Sequence, residues 1–148
     1  MLPIMAYHLP LATPFGYVCT SGMTYVLERD SEGNILKLST ADISFIRRGR
    51  LPKEFDLSLP FPGAPDLAIE VTAPDDGAAA ILAKVRDYQN AGTEQVWVLY
   101  SRQEEVFQYV HDEISIHIYK GTDTIQAESL SPGLTIAVQD VFVMPAIE

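Results

Sequence analysis

The run LAIEV at 67–71 does most to limit what this chain can become. It is apolar but for one carboxylate, and a short apolar run bounded by breakers reads as a strand buried on both faces. Pro74-Asp75-Asp76 follows and signals a helix start, with acids at the positive end of the helix dipole. The pattern predicts a helix over about 76–91. Ile81, Leu82, Val85 and Tyr88 form its apolar stripe, and Gly92 is the expected stop. A second apolar run, EQVWVLY at 94–100, comes directly after it. Strand, helix and strand in this order make a βαβ unit, whose crossover is right-handed.

The flanking segments extend the sheet. MTYVL (23–27), ILKLST (35–40) and ADISFI (41–46) read as strands, with a turn at 30–34. EEVFQYV (104–110) and EISIHIY (113–119) have short connections and are expected to pair as an antiparallel meander. GTDT (121–124) reads as a turn. LTIAV (134–138), after a break at Ser131-Pro132-Gly133, is a final short strand. Residues 1–15 carry three prolines and read as irregular. Residues 47–64, with three prolines and two glycines, form a long connection of the kind that carries function. The expectation is one α/β domain over residues 1–148, a mixed β-sheet with one main crossover helix and an antiparallel meander.

Composition agrees with a folded domain. The chain has 148 residues, 47% hydrophobic and 20% charged, enough to bury roughly 70% of its unfolded surface without disulfide or metal. Cys19 is the one cysteine, so no intrachain disulfide forms, which fits a reducing compartment. No apolar run approaches the roughly 20 residues of a membrane span. The N-terminal stretch lacks a basic region, so no signal peptide and a cytoplasmic location are expected.

The net charge of −10 argues against nonspecific nucleic-acid binding. That charge is unevenly spread. Residues 1–86 hold 10 acids and 8 bases, and residues 87–148 hold 10 acids and 2 bases. Arg47, Arg48, Arg50 and Lys53 cluster in the first half, where a polyanion such as DNA would bind. The plainer reading is a solvated loop.

Glu70 is the most informative residue. A buried ionised carboxylate is costly unless it is paired, hydrogen-bonded or bound to a metal. Its presence in a core strand admits two readings, a functional group or a structural ion pair. Lys84 is a candidate partner. Glu70 lies roughly 7 Å back from the end of its strand, and Lys84 roughly 12 Å back along the helix that folds over the sheet. The alternative for Lys84 is an ordinary surface lysine.

A metal site needs a second acid. Asp66 shares the strand with Glu70 but stands about 13 Å away if the strand is regular. Asp42, at the head of ADISFI, can lie beside Glu70 across the sheet. Geometry therefore favours Asp42 and Glu70 as metal ligands. Asp66 would act from behind them, join them if Pro65 bends the strand, or simply cap the strand's entry. Two oxygen ligands plus waters suit Mg²⁺, which favours phosphate substrates. Lys84 would then stabilise charge in the transition state.

Several motifs occur together in this sequence. They are Pro65-Asp66, Glu70-Val71 and Ala73-Pro74, then Lys84 and Tyr88, then Gly92 and Trp97, then Pro132-Gly133, with ADISFIRRGRLP upstream. In combination they resemble the Uma-type restriction endonuclease family of the PD-(D/E)XK nuclease superfamily, over roughly residues 17–143. The resemblance implies a restriction-endonuclease-like fold and a Mg²⁺- or Mn²⁺-dependent endonuclease acting on DNA. It implies catalytic and metal-holding roles for Asp42, Asp66 and Glu70, and an assisting role for Lys84. The superfamily's lysine two residues after the glutamate is Thr72 here, so Lys84 takes its place from the helix.

This chain departs from the family pattern in four places. It lacks the leading Tyr-Glu-Leu-x-x-Gly-Glu hairpin, which implies a chain shortened at its front. Tyr100 stands where an aspartate usually ends the Trp strand, Ala73 replaces the serine before Pro74, and Ala41 replaces the proline before Asp42. A second function class therefore stands beside the nuclease: a catalytically inactive relative serving as a structural or protein-interaction module.

The remaining residues read more simply. His8, His111 and His117 lack metal-ligand spacing, and Cys19 reads as a small buried hydrophobe. Tyr17, Tyr25, Trp97, Phe107, Tyr109 and Tyr119 read as core or sheet-face residues. An aromatic face on the meander would suit a homodimer.

Overall fold

The computed structural model describes residues 11–12, 15–20, 23–56 and 58–142. In chain order, β1 (Leu11–Ala12), β2 (Gly16–Thr20), β3 (Thr24–Arg29), β4 (Ile35–Thr40) and β5 (Ile43–Arg47) precede β6 (Leu67–Val71). Then come α1 (Ala78–Asn90), β7 (Gln95–Tyr100), β8 (Glu105–Val110) and β9 (Ile116–Lys120). The last elements are β10 (Thr124–Gln126), β11 (Thr135–Ala137) and a single turn of helix, α2 (Val138–Val141).

Seven strands form one sheet in the order β1-β2-β5-β6-β7-β8-β9. Only β6 and β7 run parallel, because only they are joined through a helix. Every other neighbour is antiparallel. The sheet is covered on both sides, which explains why β6 and β7 are apolar throughout. On one face Ile46, Ala68, Val96 and Val98 pack under Val85 and Tyr88 of α1 and Tyr25 of the β3–β4 hairpin. On the other, Ile43, Leu67, Ile69 and Trp97 pack under Ile125, Leu130 and Val138, from β10 to α2. Successive strand residues alternate between these two cores.

The mixed sheet, the crossover helix and the meander β7–β8–β9 match the architecture expected from the sequence. Four details differ. The helix begins at Ala78, with Gly77 as an N-cap that makes no side-chain bond. Asp76 is spent on a turn before it, accepting from the Ala73 amide at 2.7 Å. ILKLST and ADISFI belong to different sheets, since β4 pairs with β3 and β5 lies between β2 and β6. LTIAV is split between β11 and α2, and β10 starts at Thr124, the last residue of the expected GTDT turn, because β11 returns to pair with it. Finally, β2 precedes the first strand expected from the sequence.

Gly92 ends α1 as expected. Its φ of 97° is open to glycine at little cost, and it lets the Thr93 amide reach back to the Tyr88 carbonyl at 3.0 Å. The irregular segment expected over 1–15 lies largely outside the described residues, as does His8. Within that segment Leu11–Ala12 pairs with β2. Among the described residues no helix is long and apolar enough to cross a membrane.

Candidate active site

Strand alternation sends Glu70 to the α1 side of the sheet, two positions beyond the core residue Ala68. Its side chain is only 12% exposed. Lys84 meets it there, Nζ donating to Oε2 at 3.1 Å and also to the Thr40 carbonyl at 3.0 Å. The helix folds back over its own strand and brings the two residues to one level. The other Glu70 oxygen, Oε1, is buried and has no hydrogen-bond partner. Burial pushes the Glu70 carboxyl up to about 7; the Lys84 ammonium opposes that shift, and the neighbouring Asp42 carboxylate adds to it.

Asp42 arrives through sheet register. Ile43 pairs with Ile69 and Ser44 with Ala68. Continued by one residue, this antiparallel ladder sets Asp42 across from Glu70 and on the same face. Its position is fixed by the backbone, for Oδ2 accepts from the Val71 amide at 2.7 Å. Asp42 is exposed where Glu70 is not. Two acids from adjoining strands and one amine from the covering helix thus converge on one place.

Asp66 is not brought to that place. It lies at the far end of β6, and both its oxygens are engaged. Oδ2 accepts from the Arg47 amide at 2.7 Å and from Arg50 Nη1 at 2.8 Å, and Oδ1 accepts from Arg47 Nη1 at 3.2 Å. Arg47 also donates to the Ser129 carbonyl and Arg50 to the Ala64 carbonyl at 2.9 Å. Two of the four bases expected to face DNA are therefore occupied in holding a buried acid and the segments around it. Arg48 and Lys53 are exposed on the same loop.

Tyr88 completes the inner wall of the site. It is fully buried, and its hydroxyl accepts from Ser39 Oγ at 3.0 Å. Burial raises its phenol pKa, and the nearby Glu70 carboxylate raises it further. The sequence contained a signal for this, since Tyr88 follows Lys84 by one helical turn and shares its face. It reads there as core, which it also is. Ser39 and the Thr40 carbonyl carried no signal at all. His111 and His117 stand elsewhere, 3.5 Å from Asp112 and 3.4 Å from Glu113.

The donor set fits a hard divalent cation. Asp42 and Glu70 offer carboxylate oxygens, and the orphaned Oε1 supplies a buried oxygen in need of a partner. Among the described residues no group of three or more His, Cys, Asp or Glu is arranged for a metal. A cation here would keep several waters, which is the habit of Mg²⁺.

No curated protein matches this sequence. Among solved structures, the crystal structure of "a putative nuclease belonging to DUF820" from Anabaena variabilis ATCC 29413 is similar, with a TM-score of 0.62 and 21% identity. The match covers 71% of this chain and 60% of that one, so this chain spans less than two thirds of its neighbour's length. At that identity the likeness is one of fold. A family model, Uma2, described as "Putative restriction endonuclease", matches residues 15–139. That span takes in β6 and α1, which supply Glu70 and Lys84, and β5 with the Asp42 that immediately precedes it, and on the strength of it the chain belongs to the Uma2 family.

Proposed function

We propose that this protein is a metal-dependent endonuclease that hydrolyses phosphodiester bonds in DNA. In this reading Asp42 and Glu70 hold Mg²⁺ or Mn²⁺ and Lys84 assists. The observation that carries it is the 3.1 Å meeting of Glu70 with Lys84 beside Asp42, with Oε1 of Glu70 buried and unpartnered. A half-satisfied buried carboxylate costs stability, and such costs concentrate where a site has chemistry to perform.

The bound cation would supply charge neutralisation at the phosphate and an acidified water. The chain's own groups do the rest. Lys84 is tethered at the Thr40 carbonyl and at Glu70, so its ammonium offers a fixed positive charge to a phosphate oxygen, where negative charge grows in the transition state. Tyr88, anchored by Ser39, walls the inner side of Glu70 and excludes water there. Asp42, open to solvent, gives the side from which the phosphodiester approaches. Arg48 and Lys53 lie on the loop after β5 and are the candidate contacts to the DNA backbone. Arg47 and Arg50 serve by holding that loop through Asp66.

A second reading keeps the fold as an interaction module without catalysis. The surplus of acids after residue 86 favours it, since that half repels a polyanion. Melting the protein in EDTA and in rising Mg²⁺ or Mn²⁺ separates the two. The nuclease reading expects stabilisation that grows with the logarithm of the free cation above Kd, about 2.7 kcal/mol at a hundredfold excess. Asp42→Asn and Glu70→Gln should lose it, and Lys84→Met should keep most of it while losing cleavage of plasmid DNA. If the parent protein shows neither a metal-linked shift nor cleavage, the interaction module is the correct reading.

A further inference from the structure

We propose that the protein forms a two-fold dimer by antiparallel pairing of β9 with the β9 of a second copy. This inference is independent of the nuclease reading, because β9 lies at the far end of the sheet from Asp42 and Glu70. β9 is the last strand of the sheet, so its outer backbone edge has no strand partner among the described residues. Such an edge is a template for another strand, and proteins that leave it free usually guard it with proline, bulges or several charges. β9 carries none of these except Lys120 at its end.

The side chains fit the same conclusion. Ile116 and Ile118 are 45% and 52% exposed, and Ile114, just before the strand, is fully exposed. Ile116 and Ile118 pair across the ladder with Tyr109 and Phe107 and so share their face. The opposite face is different: there Tyr119 packs with the cluster that contains Val138 of α2. The sequence pointed to an aromatic dimer surface on the meander, and the present proposal rests on other residues. Trp97 is buried, Phe107 and Tyr109 are half-buried, and the exposed apolar residues of the meander are isoleucines.

The choice of a second copy rests on charge and on symmetry. Acids Asp112 and Glu113 precede β9, and Lys120 closes it. Antiparallel apposition of two identical strands about His117 sets Ile116 of each against Ile118 of the other. It also turns each Lys120 toward its partner's acidic end. Parallel apposition would set like charge against like. Pairing of β9 with β9 is isologous and consumes the same edge in both copies. The arrangement therefore closes as a dimer.

Sedimentation equilibrium of the whole chain from 1 to about 200 µM tests this. The parent protein should sediment as a dimer at the upper concentrations. Ile118→Lys should be monomeric throughout that range while keeping the parent's near-ultraviolet circular dichroism and the melting temperature that the parent shows at about 1 µM, where it too is dissociated. Lys120→Glu should weaken association several-fold. If Ile118→Lys lowers the melting temperature, Ile118→Thr, which keeps a strand-forming residue at this exposed position, gives the same comparison. A parent chain that stays monomeric at about 200 µM overturns the proposal. So does a dimer that both Ile118 variants leave intact, since another surface would then hold it.

Discussion

Burial of Glu70 carries a cost. Its carboxyl titrates near 4.5 in an unfolded chain and near 7 in the folded one, chiefly because it is buried. Between those values the folded state binds more protons. Stability from this group is therefore fully present below pH 4.5 and is lost as pH rises through about 7. A gap of that size corresponds to about 3 kcal/mol. Glu70→Gln keeps an acceptor for Lys84 and has no charge to desolvate. Urea unfolding from pH 4.5 to 8 in EDTA should show a decline in the parent that the variant lacks, leaving the variant more stable at pH 8 by about 2–3 kcal/mol. A difference that does not vary with pH would remove burial of Glu70 as its cause. Removing the charge of Asp66 is expected to destabilise the fold. Asp66→Asn strips the countercharge from Arg47 and Arg50, which are themselves half-exposed. The loss should be about 2 kcal/mol by urea unfolding, below the roughly 3–5 kcal/mol of a fully buried pair because both arginines reach solvent. Stabilisation by Mg²⁺ should survive it. Two aspartates that look alike in the sequence are thus separated by one experiment.

At the scale of elements, the β10–β11 hairpin is held to the main sheet by a buried amide network. Gln108 Nε2 donates to Gln95 Oε1 at 2.9 Å and to the Gln126 carbonyl at 2.7 Å, and Tyr119 donates to Gln108 Oε1 at 3.0 Å. Gln95 in turn accepts from Trp97 Nε1 at 2.8 Å and donates to Ser129 Oγ at 2.6 Å. Gln108→Leu keeps the volume but strands the Gln126 carbonyl and the Tyr119 hydroxyl. It should cost about 2–3 kcal/mol. Amide hydrogen exchange should quicken in β10 and β11 more than in α1; uniform quickening would mean that the network does not latch this hairpin in particular. Nothing in the strand patterns marked these glutamines. Gln95 and Gln108 fall at alternating positions like any polar residue of a half-solvated strand. What buries them is a hairpin supplied some twenty residues later in the chain.

At the scale of the whole molecule, two apolar cores share a single sheet, one on each face. Neither face of β6 or β7 can lose its cover without exposing a strand that the other core depends on. Urea unfolding should therefore be one transition. Fluorescence of Trp97, the only tryptophan, buried in the second core, should coincide with far-ultraviolet circular dichroism, to which α1 over the first core contributes. Separate midpoints would show that the β10–α2 layer unfolds by itself. Charge is organised at this scale too. The basic loop follows β5 and the acidic excess lies after residue 86.

Local pattern was enough to determine the βαβ unit, because an apolar run, a helix-start signal, a stripe at helical spacing and Gly92 are each properties of neighbours in the chain. It also brought Glu70 and Lys84 to one level, since rise per residue in strand and helix is constant. Tertiary structure decided the rest. Register between β5 and β6 chose Asp42 as the companion of Glu70, and the fold of the loop after β5 gave Asp66 to two arginines. Packing by a distant hairpin buried Gln95 and Gln108. These outcomes depend on which segments meet across the sheet, and the energy that selects those meetings is shared among residues far apart in sequence.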